Sequence, residues 1–229
     1  MVSLLAAWPG RATAQDPTAI RRDSAHYHFI GTDVTYVDFG GNIDPWRLAS
    51  VTLSQRGTWG SLLARVNVAN RFATSGTQVE VDAYPRLNSS TYLYLNAGWS
   101  GSPVFPDNRL GAEFFTTLPN AWEGSVGFRR LVFDGEPVVL LTGAIGKYAG
   151  NYWLSLRPYV RSTNNRVSAS AGLTVRRYTV DADNYVGGSI GYGDTPTDQV
   201  TPDAIRRTQS FSFGLQGSST LTARLLGTW

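Results

Sequence analysis

The chain of 229 residues contains no cysteine, one methionine and two histidines. Without cysteine, neither a disulfide framework nor a thiolate metal site can form. Charged residues make up only 16% of the chain, where a soluble domain usually carries about a quarter. No run of about 18 consecutive apolar residues occurs, which excludes a membrane-spanning helix. The net charge is only +3, and no basic run interleaved with aromatics supports nucleic-acid binding.

What the chain has instead is alternation. In Arg166–Arg176, RVSASAGLTVR, Val167, Ala169, Ala171, Leu173 and Val175 share one parity. Ser168, Ser170, Gly172, Thr174 and Arg176 share the other. Successive side chains of a strand point to opposite faces, so one face is apolar and the other polar. The pattern recurs over 26–38, 46–57, 60–72, 76–85, 90–101, 108–118, 121–132, 137–148, 150–162, 165–178, 184–193, 206–216 and 219–229. Aromatics are 12% of the residues and glycines number 24. The fold class expected is all-β, an antiparallel transmembrane (outer-membrane) β-barrel of about 12–14 strands, apolar outside and wet inside. A soluble β-sandwich or lipocalin-like barrel, with the apolar parity facing a core, is the competing architecture.

The connections carry a second signal. The longer ones, Gly40–Pro45, Ser102–Asn108, Phe133–Pro137 and Asp194–Ile205, all follow odd-numbered segments. Pro119-Asn120 and Ala149-Gly150, after even-numbered ones, are tight. Barrels alternate short periplasmic turns with longer external loops, so the first segment runs outward. Thirteen segments would leave Trp229 outside, whereas single-chain bacterial barrels use an even number. Either one early segment is not a strand, or a fourteenth strand is missing from this sequence; the second is the expectation adopted. At the other end, VSLLAAW (2–8) and Ala12-Thr13-Ala14 read as the rear of a signal peptide cleaved after Ala14, with its basic start absent. The chain thus divides into a leader over 1–24 and a barrel over 25–229, in the bacterial outer membrane.

Five phrases in order carry a family resemblance: TQVEVDAYP (77–85), FPDNRLGAE (105–113), AWEGSVGFRRL (121–131), IGKYAGNYW (145–153) and LTVRRYTVD (173–181). Over most of Trp46 to Trp229 the chain resembles the YaiO family of outer-membrane β-barrels. The resemblance implies fold and location, one further strand beyond Trp229, and no established reaction. Members often accompany glycosyltransferases, which implies a part in moving or binding surface polysaccharide.

The inward parity collects the candidate site. It places Arg65, Arg71, Glu80, Asp82, Glu113, Glu123, Arg129, Arg157, Arg161, Arg176 and Arg224 on the lumen side, with Tyr84, Tyr92, Tyr94 and Tyr159. Guanidinium forks there would hold a carboxylate, phosphate or acidic sugar. Alternatively, the arginines and carboxylates would pair with each other and fill the lumen. Glu113 and Glu123 on neighbouring strands are a conceivable acid–base pair for glycoside hydrolysis, which needs a separation of about 5–10 Å. His26 and His28 share a face, but no third metal ligand is spaced for them. Asp44, Asp194, Asp198 and Asp203 sit in loops without a calcium motif. Tyr148, Tyr152, Trp153, Trp122 and Trp59 are expected in the periplasmic aromatic girdle, Trp46 and Phe105 in the outer one.

The reading is a non-enzymatic barrel that passes or binds surface polysaccharide or small polar solutes, without metal or other cofactor. Its expected partners are outer-membrane lipids and polysaccharide or envelope glycan machinery. A barrel enzyme acting on lipid or glycan, and a plugged structural or assembly barrel, stay open beside it.

Overall fold

The computed structural model describes residues 27–38, 45–71, 74–163, 166–193, 210–222 and 225–229. The expected leader and cleavage site lie outside these residues, as do His26, Ala223, Arg224 and the four loop aspartates Asp44, Asp194, Asp198 and Asp203.

Among the described residues thirteen strands run up and down in one antiparallel sheet, each paired with its chain neighbour. They are β1 (Tyr27–Val37), β2 (Trp46–Gly57), β3 (Gly60–Arg71), β4 (Thr74–Pro85) and β5 (Thr91–Trp99). Then come β6 (Asn108–Leu118), β7 (Trp122–Phe133), β8 (Glu136–Ala149) and β9 (Tyr152–Thr163). The chain ends with β10 (Arg166–Tyr178), β11 (Tyr185–Gly193), β12 (Ser210–Thr222) and β13 (Leu225–Thr228). Among the described residues no backbone pairing joins β1 to β13.

Burial is inverted relative to a water-soluble protein. Val79, Val81, Phe114, Val126, Leu141 and Phe213 are exposed, whereas Gln78, Glu80, Asp82, Asn96, Glu113 and Arg129 are buried. A soluble sandwich would bury the first set and hydrate the second. Only a lipid surround makes the observed arrangement favourable, because it rewards apolar side chains outside and backbone groups paired from strand to strand. Two bands of exposed aromatics mark the membrane faces: Trp59, Trp122 and Tyr152 at the end of the tight turns, and Tyr36, Trp99 and Tyr192 at the other. The chain is a transmembrane β-barrel.

Two connections differ in kind from the sequence expectation. The connection expected over Phe133–Pro137 is a two-residue turn, Asp134-Gly135, with φ of 50° and 81°. Asp-Gly with both residues left-handed is the turn whose twist matches a tight hairpin. Near the end, Gly217-Ser218 reads as a turn, yet both residues continue β12, pairing with Val186 and Tyr185. The backbone of Gly217 also exchanges hydrogen bonds with Trp229, at 2.8 and 3.0 Å. A glycine here serves close approach, since the Trp229 ring lies where a Cβ would stand. Leu221 therefore belongs to β12, and β13 is short.

Phe128 lies midway along β7 on the exposed face. Phe128→Arg is expected to destabilise the refolded protein in bilayers by about 2–4 kcal/mol, the cost of a cation at the membrane midplane. Urea titration of folding into liposomes measures it, and a change near zero would contradict the membrane orientation.

Candidate functional site

The polar faces of the strands meet across the lumen. Glu113 on β6 is 1% exposed. Its carboxylate accepts hydrogen bonds from Arg129 of β7 (2.8 Å), Arg157 of β9 (2.7 Å) and the Ser125 hydroxyl (2.6 Å). Arg157 reaches it past β7 and β8. That is about 14 Å around the sheet at ~4.8 Å per strand, so the bond is a chord across a narrow lumen. Arg129 also stacks on Tyr94, 4.5 Å from the ring centre.

A second group sits on β3–β6. Glu80 and Asp82 lie two apart on one face of β4, both buried. Arg65 bridges them at 3.5 and 3.3 Å, and Arg109 meets Glu80 at 3.3 Å. The Asn96 amide donates to both carboxylates at 2.7 and 2.6 Å. Asn67 donates to Glu80, and the Tyr94 hydroxyl to Asp82. Adjacent buried carboxylates repel, and two guanidiniums and two amides make the arrangement tenable.

Room for these long side chains comes from glycine. Arg109, Arg129, Glu113, Glu123 and Arg176 stand in direct register with Gly98, Gly111, Gly127, Gly146 and Gly187 respectively. A Cβ on Gly111 would come within 2.6 Å of Arg129 Cδ, and one on Gly146 within 2.6 Å of Glu123 Oε1. Each charged chain thus lies flat across the neighbouring strand.

The turn end of the lumen is aromatic. Tyr84, Tyr92, Tyr94, Phe115, Tyr148, Trp153, Tyr178 and Tyr185 all occupy inward parity in the half nearest the tight turns. Tyr92 stacks on Phe115 at 4.7 Å and Tyr84 lies 5.1 Å from Tyr94. The Trp153 indole donates to Glu123 at 2.7 Å, and its ring lies 4.9 Å from the Arg176 guanidinium. Tyr148 and Trp153 therefore face the lumen rather than the girdle expected of them, because they alternate with the outward Ile145 and Leu154.

At the opposite mouth one connection packs against the wall. The connection between β5 and β6 folds inward, burying Val104 and Phe105 against Ala69 and the lumen-facing Leu48. Ser100 Oγ donates to the Thr77 carbonyl at 2.7 Å, and Asp107 N to Val132 O at 2.8 Å. Arg71 donates to the Val104 carbonyl and lies over Trp46 and Phe105. Trp46 and Phe105 thus pack inside the outer mouth instead of joining the outer girdle. Beside them Leu131, Phe133, Val138, Leu140 and Tyr159 form a buried apolar cluster.

The inward residues read from parity are brought together unequally. Arg65, Glu80 and Asp82 form one cluster, Glu113, Arg129 and Arg157 another, and Glu123 is linked to Arg176 through Trp153. Arg71 and Tyr159 stand at the loop mouth, with Arg161 buried on β9 opposite Leu140. Glu113 and Glu123 are four residues apart along β7 in register, from 127 to 123. That is about 13 Å of strand, and each carboxylate has its own partners, so they do not form a facing acid–base pair. Arg109, Asn96, Asn67 and Gln78 escaped the sequence reading, although Arg109 shares the parity of Glu113 and Asn96 that of Tyr94. His28 is exposed on β1, and no group of three or more metal-ligating side chains exists among the described residues.

Removing one partner of a buried ion pair strands the other, so Glu113→Ala should cost about 3–5 kcal/mol in urea unfolding from micelles. An effect below about 1 kcal/mol, the worth of a surface pair, would show that water screens the Glu113–Arg129–Arg157 cluster.

Comparison with known proteins places this architecture. A solved KdgM porin is similar in fold, with a TM-score of 0.50 at 12% identity, over 74% of this chain and 91% of that one. No curated protein matches the chain in sequence. The model of the YaiO membrane beta barrel domain matches residues 28–198. The inverted burial, the two aromatic bands and this match agree: the chain is a bacterial outer-membrane protein belonging to the YaiO family.

Proposed function

We propose that the barrel is non-enzymatic and binds and passes a saccharide or small polar solute through its lumen. The observation that carries this reading is the set of eight inward aromatics in the turn-end half, beside guanidinium groups. Flat rings stack on the apolar faces of sugars, while amides and guanidiniums satisfy their hydroxyls. In bacterial barrels the tight turns face the periplasm, so the receptive end is the periplasmic one. The outer mouth, occupied by Val104 and Phe105, favours a second reading, a plugged barrel with a structural or assembly role.

Planar-bilayer conductance of the full chain separates the two. For a conduit, loosening the inward connection with Val104→Ser and Phe105→Ser raises the current, and maltodextrin then lowers it. A folded barrel that conducts in neither form removes the passage reading and leaves the plugged one.

A further inference from the structure

We infer that the wall formed by β10, β11 and β12 holds a subsite for the carboxylate of an acidic saccharide, built on Arg176 and Gln216. This rests on the saccharide reading above and names the class of sugar. Arg176 is 8% exposed and lies between Trp153 and Tyr185, 4.9 and 4.7 Å from their ring centres. Its Nε is buried without a hydrogen-bond partner, and no carboxylate lies within ion-pair distance among the described residues. Other lumen arginines contrast with it: Arg65, Arg109, Arg129 and Arg157 each meet Glu80, Asp82 or Glu113. The nearest acid by topology, Glu123, is bonded to the Trp153 indole instead.

The register supplies a second donor. Arg176 pairs with Gly187, and Gly187 with Gln216, so the three form one row across the wall. Gln216 Nε2 is also buried and unpartnered. Two strand spacings, about 10 Å, separate the Arg176 and Gln216 backbones, and the residue between them has no side chain. A Cβ on Gly187 would sit 3.1 Å from Arg176 Cγ, so the guanidinium arm lies over that glycine. From this row toward the loop end, the inward positions Thr174, Ser189 and Gly214, then Gly172, Gly191 and Ser212, carry only hydrogen or hydroxyl-bearing side chains. Inward positions of β10–β12 include no acid among the described residues.

A guanidinium flanked by two rings can meet a planar carboxylate by geometry as well as charge. The rings that hold it also offer stacking surface to the sugar bearing that carboxylate. Neutral sugars would use the rings but leave the charge of Arg176 without a counter-ion.

The test is titration of the full chain, refolded in micelles and β-rich by circular dichroism, followed by tryptophan fluorescence. The two probes are a glucuronate trimer and a glucose trimer. The native protein should bind the acidic trimer about tenfold or more tightly than the neutral one, the scale of one charge-assisted contact. Arg176→Gln should bring the ratio of the two affinities to about one, and Gln216→Leu should reduce it about threefold. Added salt should weaken the acidic trimer alone. If Arg176→Gln does not refold, Gln216→Leu and the salt dependence decide. Equal affinity for both trimers, or a preference that survives Arg176→Gln, overturns the carboxylate subsite while leaving the saccharide reading in place. Binding of neither trimer overturns both.

Discussion

Everything in this barrel follows from having lipid on one side of the sheet. Lipid offers no hydrogen bonds, so each backbone group must pair within the sheet and each outward side chain must be apolar. Polar residues are thereby driven to the other face, where curvature brings them together. Charge in that confined interior must be compensated, and Glu113 shows how tightly: it gathers arginines from β7 and β9 and a hydroxyl from β7. The same carboxylate joins strands that share no backbone pairing, which resists splaying of the sheet between β6 and β9.

Glycine makes that compensation possible. A lumen in which every inward position carried a long side chain could not close at this size. Placing glycine opposite arginine or glutamate lets one strand lend its space to the next, as Gly111 does for Arg129 and Gly127 for Glu113. Gly98, Gly111, Gly127, Gly146 and Gly187 thus serve packing inside the barrel rather than turns.

Alternation was enough to place β2 and β6 to the residue and to sort outward from inward positions along most strands. It failed where position within a strand was allowed to outweigh parity. Tyr148 and Trp153 stand at strand ends, which suggests an interfacial girdle, but their parity opposite Ile145 and Leu154 sends them inward. Trp46 and Phe105 were misplaced for another reason, because an inward-folded connection depends on contacts with Leu48, Ala69 and Val132 that no local pattern encodes. Nor could the Arg157–Glu113 contact be read, since 44 residues separate the two and only the curvature of the sheet joins them. The unequal division of the lumen is legible only once these partners are known.

That division bears on how the lumen works. Between β3 and β9 the inward charges are largely matched to one another and the amides bind carboxylates, so this wall is rigid and has little to offer a ligand. At the loop mouth Val104 and Phe105 add apolar surface against Ala69 and Leu48. On β10 to β12 the wall thins to glycine and hydroxyl groups, and Arg176 stands there between two rings. Space, stacking surface and a charge without an acidic partner therefore coincide at one place, on the turn-end half of the β10–β12 wall. On the proposed saccharide reading, a solute entering from the periplasmic side would meet the inward aromatics first and then the thin wall. Selectivity in such a lumen depends less on how many arginines it contains than on which of them the barrel has left without a carboxylate.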